Sequence, residues 1–202
     1  MTIYDYPGCP FGRKVRIVLA EKELSFDSVQ VDLAKGQQRS DEFRRLNPFG
    51  KVPVLVDESS VVYESTIINE YLNDEYPHPP ELLPEDSGER ARVRLLVDFA
   101  DRAFTLPVMA LERDAKAADK DDARMQAARD AVGKALQMLD RELAGREYLA
   151  EGFSLADVAF APALLMLPQV GVNIDASLQN VAAWKSRLLA RPSIGKVAKS
   201  AA

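Results

Sequence analysis

Four prolines fall within nine residues, in Tyr76-Pro77-His78-Pro79-Pro80-Glu81-Leu82-Leu83-Pro84. Each fixes φ and removes a backbone donor, so neither a helix nor a central strand can run through this stretch. The chain must be built as two parts, and their patterns differ. Residues 1–76 mix strand and helix periods, whereas beyond residue 86 the apolar pattern is helical throughout. The expected division is a first domain over 1–76, a linker over 77–86 and a second domain over 87–202. A chain of 202 residues can bury a real core without disulfides.

In the first part, Thr2-Ile3-Tyr4-Asp5-Tyr6 reads as a strand, and Val15, Val18 and Leu19 open a helical pattern. Val29, Val31 and Leu33 alternate with Gln30 and Asp32, a half-buried strand. The polar stretch from Lys35 to Arg45 reads as loop and short irregular helix. Val52-Pro53-Val54-Leu55-Val56 suits an interior strand, and Val61-Val62-Tyr63 another. Ile67, Ile68, Tyr71 and Leu72 mark a helix with Ser65 as its N-cap. This order suits a small sheet covered by helices. In the second part, Leu96, Phe99, Ala103 and Phe104 share one helix face, as do Ala128, Val132, Ala135, Leu139 and Leu143. Ser154-Leu155-Ala156-Asp157 has the form of a capping box, and the apolar helix it opens, Leu155 to Leu167, should be central and kinked at Pro162.

Several functions are disfavoured at once. A net charge of −5 argues against a general phosphate-backbone binder, so no direct nucleic-acid partner is expected. Within that balance Arg13, Lys14 and Arg16 read as a solvated helix face that favours an anion nearby. One cysteine cannot close an intrachain disulfide, and one Cys with one His cannot supply a zinc-type ligand set. No signal peptide and no membrane span of roughly 20 apolar residues is expected, which leaves the cytoplasm.

Cys9, the sole cysteine, lies in Tyr6-Pro7-Gly8-Cys9-Pro10-Phe11-Gly12, between the first strand and the first helix. Unpaired N–H groups and the dipole at a helix start favour a thiolate. With Arg13 four residues on, its pKa is expected below the free-cysteine value of about 8.5. The competing reading is a buried, inert cysteine. Gly12 leaves no resolving thiol, so chemistry here would be monothiol. Proline in a sheet is confined to strand starts and edges, so Val52-Pro53 is informative. A trans bond there is a plain strand start, whereas a cis bond would turn the Val52 N–H and C=O outward to a peptide-like ligand. Glu64 offers a carboxylate to an ammonium group, and Ser65 with its helix N–H groups suits a carboxylate, unless Ser65 is simply a cap.

Cys9-Pro10-Phe11, Asn47-Pro48-Phe49-Gly50-Lys51-Val52-Pro53-Val54-Leu55 and Tyr63-Glu64-Ser65 together resemble the glutathione S-transferase superfamily, its cysteine-bearing omega class closely. The resemblance spans essentially the whole chain. It implies a thioredoxin-like α/β N-terminal domain followed by an all-α C-terminal domain, and glutathione as co-substrate. It places the cis-proline on Pro53, the backbone contact on Val52 and the γ-glutamyl pair on Glu64 and Ser65. Arg39 falls where a basic residue reaches the glycine carboxylate, a match of charge and not identity. A cysteine at position 9 implies thiol transfer, or dehydroascorbate reductase-like chemistry, more than conjugation. Tyr4 and Tyr6 keep a tyrosine-activated transferase open. An electrophilic or disulfide acceptor would lie between the domains near Phe11, Phe104 and Met109, and a homodimer is implied.

Ile17-Val18-Leu19-Ala20-Glu21-Lys22, Tyr76-Pro77-His78-Pro79-Pro80 and Phe153-Ser154-Leu155 through Leu167-Pro168-Gln169 also resemble the stringent starvation protein A family. That resemblance implies the same fold serving as an RNA polymerase-associated transcription regulator without transferase activity. Its Pro-His-Pro surface patch falls on Pro77, His78 and Pro79. The alternative for His78 is an ordinary exposed linker residue.

Overall fold

The period-2 patterns of the first part become a four-stranded mixed sheet in the computed structural model, which describes residues 1–117, 119 and 121–199. Its strands are β1 (Thr2–Asp5), β2 (Asp27–Gln30), β3 (Val54–Asp57) and β4 (Ser60–Tyr63), in the order β2-β1-β3-β4. Strand β2 runs parallel to β1, while β3 is antiparallel to both β1 and β4. Alternation divides the two faces: Ile3 sits opposite Leu55 and both are fully buried, while Tyr4 sits opposite Val54. Helices α1 (Pro10–Glu21) and α3 (Ser65–Glu75) pack together on the Ile3 face. The short α2 (Asp41–Leu46) covers the other, where Val31, Phe43 and Val54 form a buried cluster flanked by Tyr4, Leu33, Leu46, Val52 and Tyr63.

Strand β2 departs from expectation, ending at Gln30 and lying exposed at the sheet edge rather than running on to Leu33. Its partner β1 is only four residues long, and Met1 O and Asp5 O take the last rungs, from Asp27 N–H and Val31 N–H. Beyond them Asp32 turns the chain: its N–H donates to Gln37 Oε1 at 2.7 Å, and its Oδ1 accepts from Lys35 N–H at 3.1 Å. Val31 and Leu33 therefore serve the core under α2 from a turn. The polar stretch that follows is a 3-10 turn, Gln37–Arg39, and then α2, capped by Ser40 Oγ accepting from Phe43 N–H at 3.2 Å.

The chain forms two compact units, one of Met1–Glu81 together with residues 196–199, the other of Leu82–Gly195. The second is helical: α4 (Ser87–Phe99), α5 (Leu106–Ala115), α6 (Asp122–Glu142), α7 (Leu155–Met166) and α8 (Gln179–Ala190), with α9 (Pro192–Lys199) last in the chain. A π-helical turn, Ala100–Thr105, joins α4 to α5. Pro107 explains it, because a proline has no N–H for the carbonyl four residues back and its ring crowds that carbonyl. Among the described residues no helix is long and apolar enough to cross a membrane. This is the thioredoxin-like sheet domain followed by a helical domain that the family resemblance implies.

Helix α7 is buried at every position except Leu165, with Pro162 inside it. Phe160 at its centre meets Phe99, Phe104 and Trp184 at ring-centroid distances of 6.3, 5.6 and 6.1 Å. Its start is a full capping box. Asp157 Oδ2 accepts from Ser154 N–H (3.0 Å) and Ser154 Oγ (3.1 Å), and Oδ1 accepts from Leu149 N–H (3.2 Å) and Trp184 Nε1–H (2.8 Å). Burial nevertheless dominates and pushes the Asp157 carboxyl up to about 6. In the unfolded chain the same group titrates near 3.9. Between these values the folded protein holds a proton that the unfolded chain has released, so this contribution to stability is full at low pH and lost as pH rises through 6. The stability of wild type relative to Asp157→Asn, which cannot titrate, should therefore shrink from acid to neutral pH by on the order of 2–3 kcal/mol in urea unfolding.

Candidate active site

Strand register gathers the candidate residues. Tyr4 pairs with Val54, and Val54 pairs with Tyr63. Cys9 follows β1, Val52-Pro53 precedes β3 and Glu64-Ser65 follows β4, so all three leave the sheet at one end. Strand β2, parallel to β1, ends there too and leads on to the turn carrying Arg39, which is exposed.

Cys9 is the N-cap of α1, in extended backbone (φ −80°, ψ 119°), with Pro10 as the first helical residue. The turn before it is tied by Cys9 N–H to Tyr6 O at 2.8 Å and by Arg13 Nε–H to Pro7 O at 2.9 Å. The expected depression of the thiol pKa is overturned. The side chain is only half-buried, yet the protein packed about it disfavours the charged form, and this raises the pKa. The N–H groups of Gly12 and Phe11 pull the other way without forming hydrogen bonds of standard geometry. Asp5 raises the pKa further, and Arg13 lowers it least of all.

The solvated basic face expected on α1 is also overturned. Arg13 and Lys14 are buried, and Lys14 Nζ reaches Thr66 Oγ1 on α3 at 2.9 Å while lying 5.8 Å from the centre of the Phe11 ring. Arg16 instead grips Asp5, with Nε 2.6 Å from Oδ2 and Nη2 2.8 Å from Oδ1. The physical reason is the covering position of α1, which leaves these side chains no route to water except along their neighbours.

The Val52–Pro53 bond is cis. Among the described residues nothing hydrogen-bonds the N–H or C=O of Val52. The loop before it is organised by Asn47, which is buried. Its Nδ2 donates to Lys51 O at 2.8 Å, and its Oδ1 accepts from Phe49 N–H at 3.0 Å. Gly50 sits at φ +61°, and a Cβ there would come within 2.8 Å of Gln38 O, so only glycine lets this loop cross the turn carrying Arg39. The motif that begins at Asn47 assigns this side chain no role of its own, although Asn-Pro is a turn signal that marks it.

The Ser65 cap is corrected by the structure. Glu64 holds the N-cap of α3, its side chain makes no capping bond, and Ser65 is the first helical residue, buried. Glu64 takes φ +67°, ψ 114°, a conformation that costs a non-glycine residue on the order of 1–3 kcal/mol and that clusters at functional sites. A serine at the first helical position cannot cap, so its hydroxyl stays available beside the uncapped N–H groups.

The remaining candidates scatter. Tyr4 packs on the α2 face, away from α1, and Tyr6 is exposed against Gly8. Phe11 is half-buried. In the second unit Phe104 is fully buried against Phe160, a core aromatic and not a surface lining, because the π-helical turn aims it at α7. Met109 lines a shallow depression of about 300 Å³ with Leu106 and Arg113. His78 is exposed, and its Nε2 lies 2.8 Å from Lys22 O. Lys22 has no exposed surface, and its Nζ donates to Tyr76 O at 2.8 Å and His78 O at 3.0 Å.

Comparison with known proteins agrees with this architecture. The family described as glutathione S-transferase, N-terminal domain matches residues 8–75, and the glutathione S-transferase, C-terminal domain matches residues 96–192. Glutathione S-transferase F10 of Arabidopsis thaliana is 32% identical over 200 residues, covering 95% of this chain and 93% of that protein. A stringent starvation protein A homolog of Coxiella burnetii is 35% identical over 175 residues, covering 86% and 79%. Among solved structures, a serine-to-cysteine mutant of poplar glutathione transferase F1 aligns with a TM-score of 0.90 at 29% identity, over 99% of this chain and 97% of that one. The chain belongs to the glutathione S-transferase family.

The balance of forces at Cys9 is open to direct measurement. Iodoacetamide alkylation followed against pH should show a midpoint above the free-cysteine value of about 8.5. A midpoint below that value would mean the helix start outweighs burial.

Proposed function

We propose that the chain is a cytoplasmic glutathione-dependent thiol transferase, acting through Cys9 as a homodimer and without a metal. The observation that carries this reading is the common sheet end shared by a thiol, an extended backbone segment and a helix start. Glutathione is an extended tripeptide with a central thiol, a carboxylate at each end and an ammonium on its γ-glutamyl arm. The N–H and C=O of Val52, beside cis-Pro53, would pair with its cysteinyl backbone as an added strand does. The Ser65 hydroxyl and first-turn N–H groups of α3 would take the γ-glutamyl carboxylate, Glu64 the ammonium, and Arg39 the glycine carboxylate.

The acceptor is an electrophile or a disulfide, approached past Phe11. With a mixed disulfide RS–SG, the Cys9 thiolate attacks the glutathione sulfur, the S–S bond breaks, and RS⁻ leaves to take a proton from water. A second glutathione thiolate then attacks the glutathione sulfur of the Cys9 adduct, expelling the Cys9 thiolate and forming oxidised glutathione. RSSG and GSH thus give RSH and GSSG. Gly12 offers no competing resolving thiol.

Ser65→Ala should weaken glutathione binding about tenfold or more in calorimetry, from the loss of a charge-assisted contact of roughly 1.5–3 kcal/mol. Its melting temperature should stay near wild type, since Ser65 caps nothing. Cys9→Ser should keep that affinity and lose disulfide exchange. Full exchange by Cys9→Ser would place the reacting sulfur elsewhere.

A second reading, a stringent starvation protein A-like regulator that associates with RNA polymerase, has one observation in its favour. Lys22 fixes the Tyr76–His78 backbone and leaves His78 displayed between Pro77 and Pro79. A thiol transferase should be indifferent to His78→Ala, with turnover within about twofold, or ~0.4 kcal/mol in barrier. Polymerase captured by wild type and not by His78→Ala, with no glutathione turnover in either, would establish the regulator.

A further inference from the structure

Asp5, at the end of β1, is a buried carboxylate with 1% of its surface exposed. It lies against the first turn of α1 so closely that a Cβ added at Gly12 would stand 3.1 Å from its Oδ2. Gly12 is also one of the two residues whose N–H groups face the Cys9 thiol. The carboxylate and the thiol are therefore neighbours across one glycine, and a negative charge there opposes a second one on sulfur. Arg16 covers that carboxylate from one turn further along α1, with two hydrogen bonds of 2.6 and 2.8 Å. The same Nη2 also donates to Ser28 Oγ at 2.6 Å, and the guanidinium lies 5.5 Å from the centre of the Phe26 ring.

We propose that the Arg16–Asp5 ion pair sets the reactivity of Cys9, by neutralising a buried carboxylate that otherwise repels the thiolate. Arg16 acts through Asp5 and is a positioning residue. Of the other charged groups around the thiol, Arg13 acts on it less than Asp5 does, and each is also engaged elsewhere or exposed. Arg13, on α1, holds the Pro7 carbonyl, Lys14 reaches across to Thr66 of α3, and Glu64, at the α3 N-cap, is exposed. Glycine at position 12 belongs to the same device, because a Cβ there would stand 3.1 Å from Asp5 Oδ2 and oblige the carboxylate to shift.

The inference rests on Cys9 as the reacting sulfur, and its test reads the thiol directly. Iodoacetamide alkylation of the full chain near neutral pH is compared across variants. Arg16→Gln uncovers the Asp5 charge and slows alkylation about threefold or more, whereas Asp5→Asn removes the charge and speeds it by a similar factor. Damage to the fold would not move two variants in opposite directions. Arg16→Lys keeps the positive charge and stays within about twofold of wild type. Ser28→Asp, at an exposed strand position, sets a second carboxylate on the guanidinium and slows the reaction; it decides the matter if the buried variants fail to fold. Equal rates throughout, or Arg16→Gln and Asp5→Asn moving together, overturn the proposal while leaving thiol transfer in place. A wild-type Cys9 that no reagent alkylates overturns both.

Discussion

Strand β3 pairs with β1 on one side and β4 on the other, and its antiparallel register against both decides where three separate pieces of chain meet. A slip of one residue would send Tyr4 and Val54 to the wrong face and exchange the two buried layers. It would also displace Cys9, Val52 and Ser65 relative to one another by about 3.3 Å. The apolar layers make that slip expensive. Ile3 and Leu55 are fully buried under α1 and α3, while Val54 joins Val31 and Phe43 under α2. The candidate site thus inherits its geometry from hydrophobic packing two residues away, and the polar groups at the sheet end need only be of the right kind.

At Cys9 the same packing works against the chemistry. A helix start favours a thiolate through its free N–H groups, but covering that start with protein removes the water an anion needs. Desolvation is the larger effect here, and Gly12 and Phe11 offset it in part. The sulfur is then a stronger nucleophile once ionised and a poorer leaving group from a mixed disulfide. Charge compensation nearby then counts for more than it would around a free thiol, since less solvent is left to screen it.

Much of this was legible in the residues alone. The two-part plan followed from Pro77, Pro79, Pro80 and Pro84, strand β3 from an unbroken apolar run, and the capping box from Ser154 and Asp157. Val52-Pro53 and Glu64-Ser65 stood out as candidates because proline and helix starts carry local physics. What escaped was the three-dimensional surrounding of each group. The run of Arg13, Lys14 and Arg16 says nothing about what lies over each side chain: Arg13 meets the Pro7 carbonyl, Lys14 meets Thr66 of α3 and Arg16 meets the Asp5 carboxylate. Ser65 missed its expected cap by one position, because Glu64 adopts a positive φ that propensity discourages. Phe104 fitted a helical stripe correctly but sits in a π-helical turn, which rotates it into the core.

Lys22 offers a different lesson. Its ammonium is buried and is satisfied by the main-chain carbonyls of Tyr76 and His78, while its own carbonyl meets the His78 ring. Carbonyls are common to every residue type, so the lysine holds the path of this segment and is blind to most of the side chains displayed along it. Substitutions at Pro77 and Pro79 can alter what the surface presents while the carbonyls that hold Lys22 stay in place. A frame of that kind separates the evolution of a contact surface from the evolution of the fold.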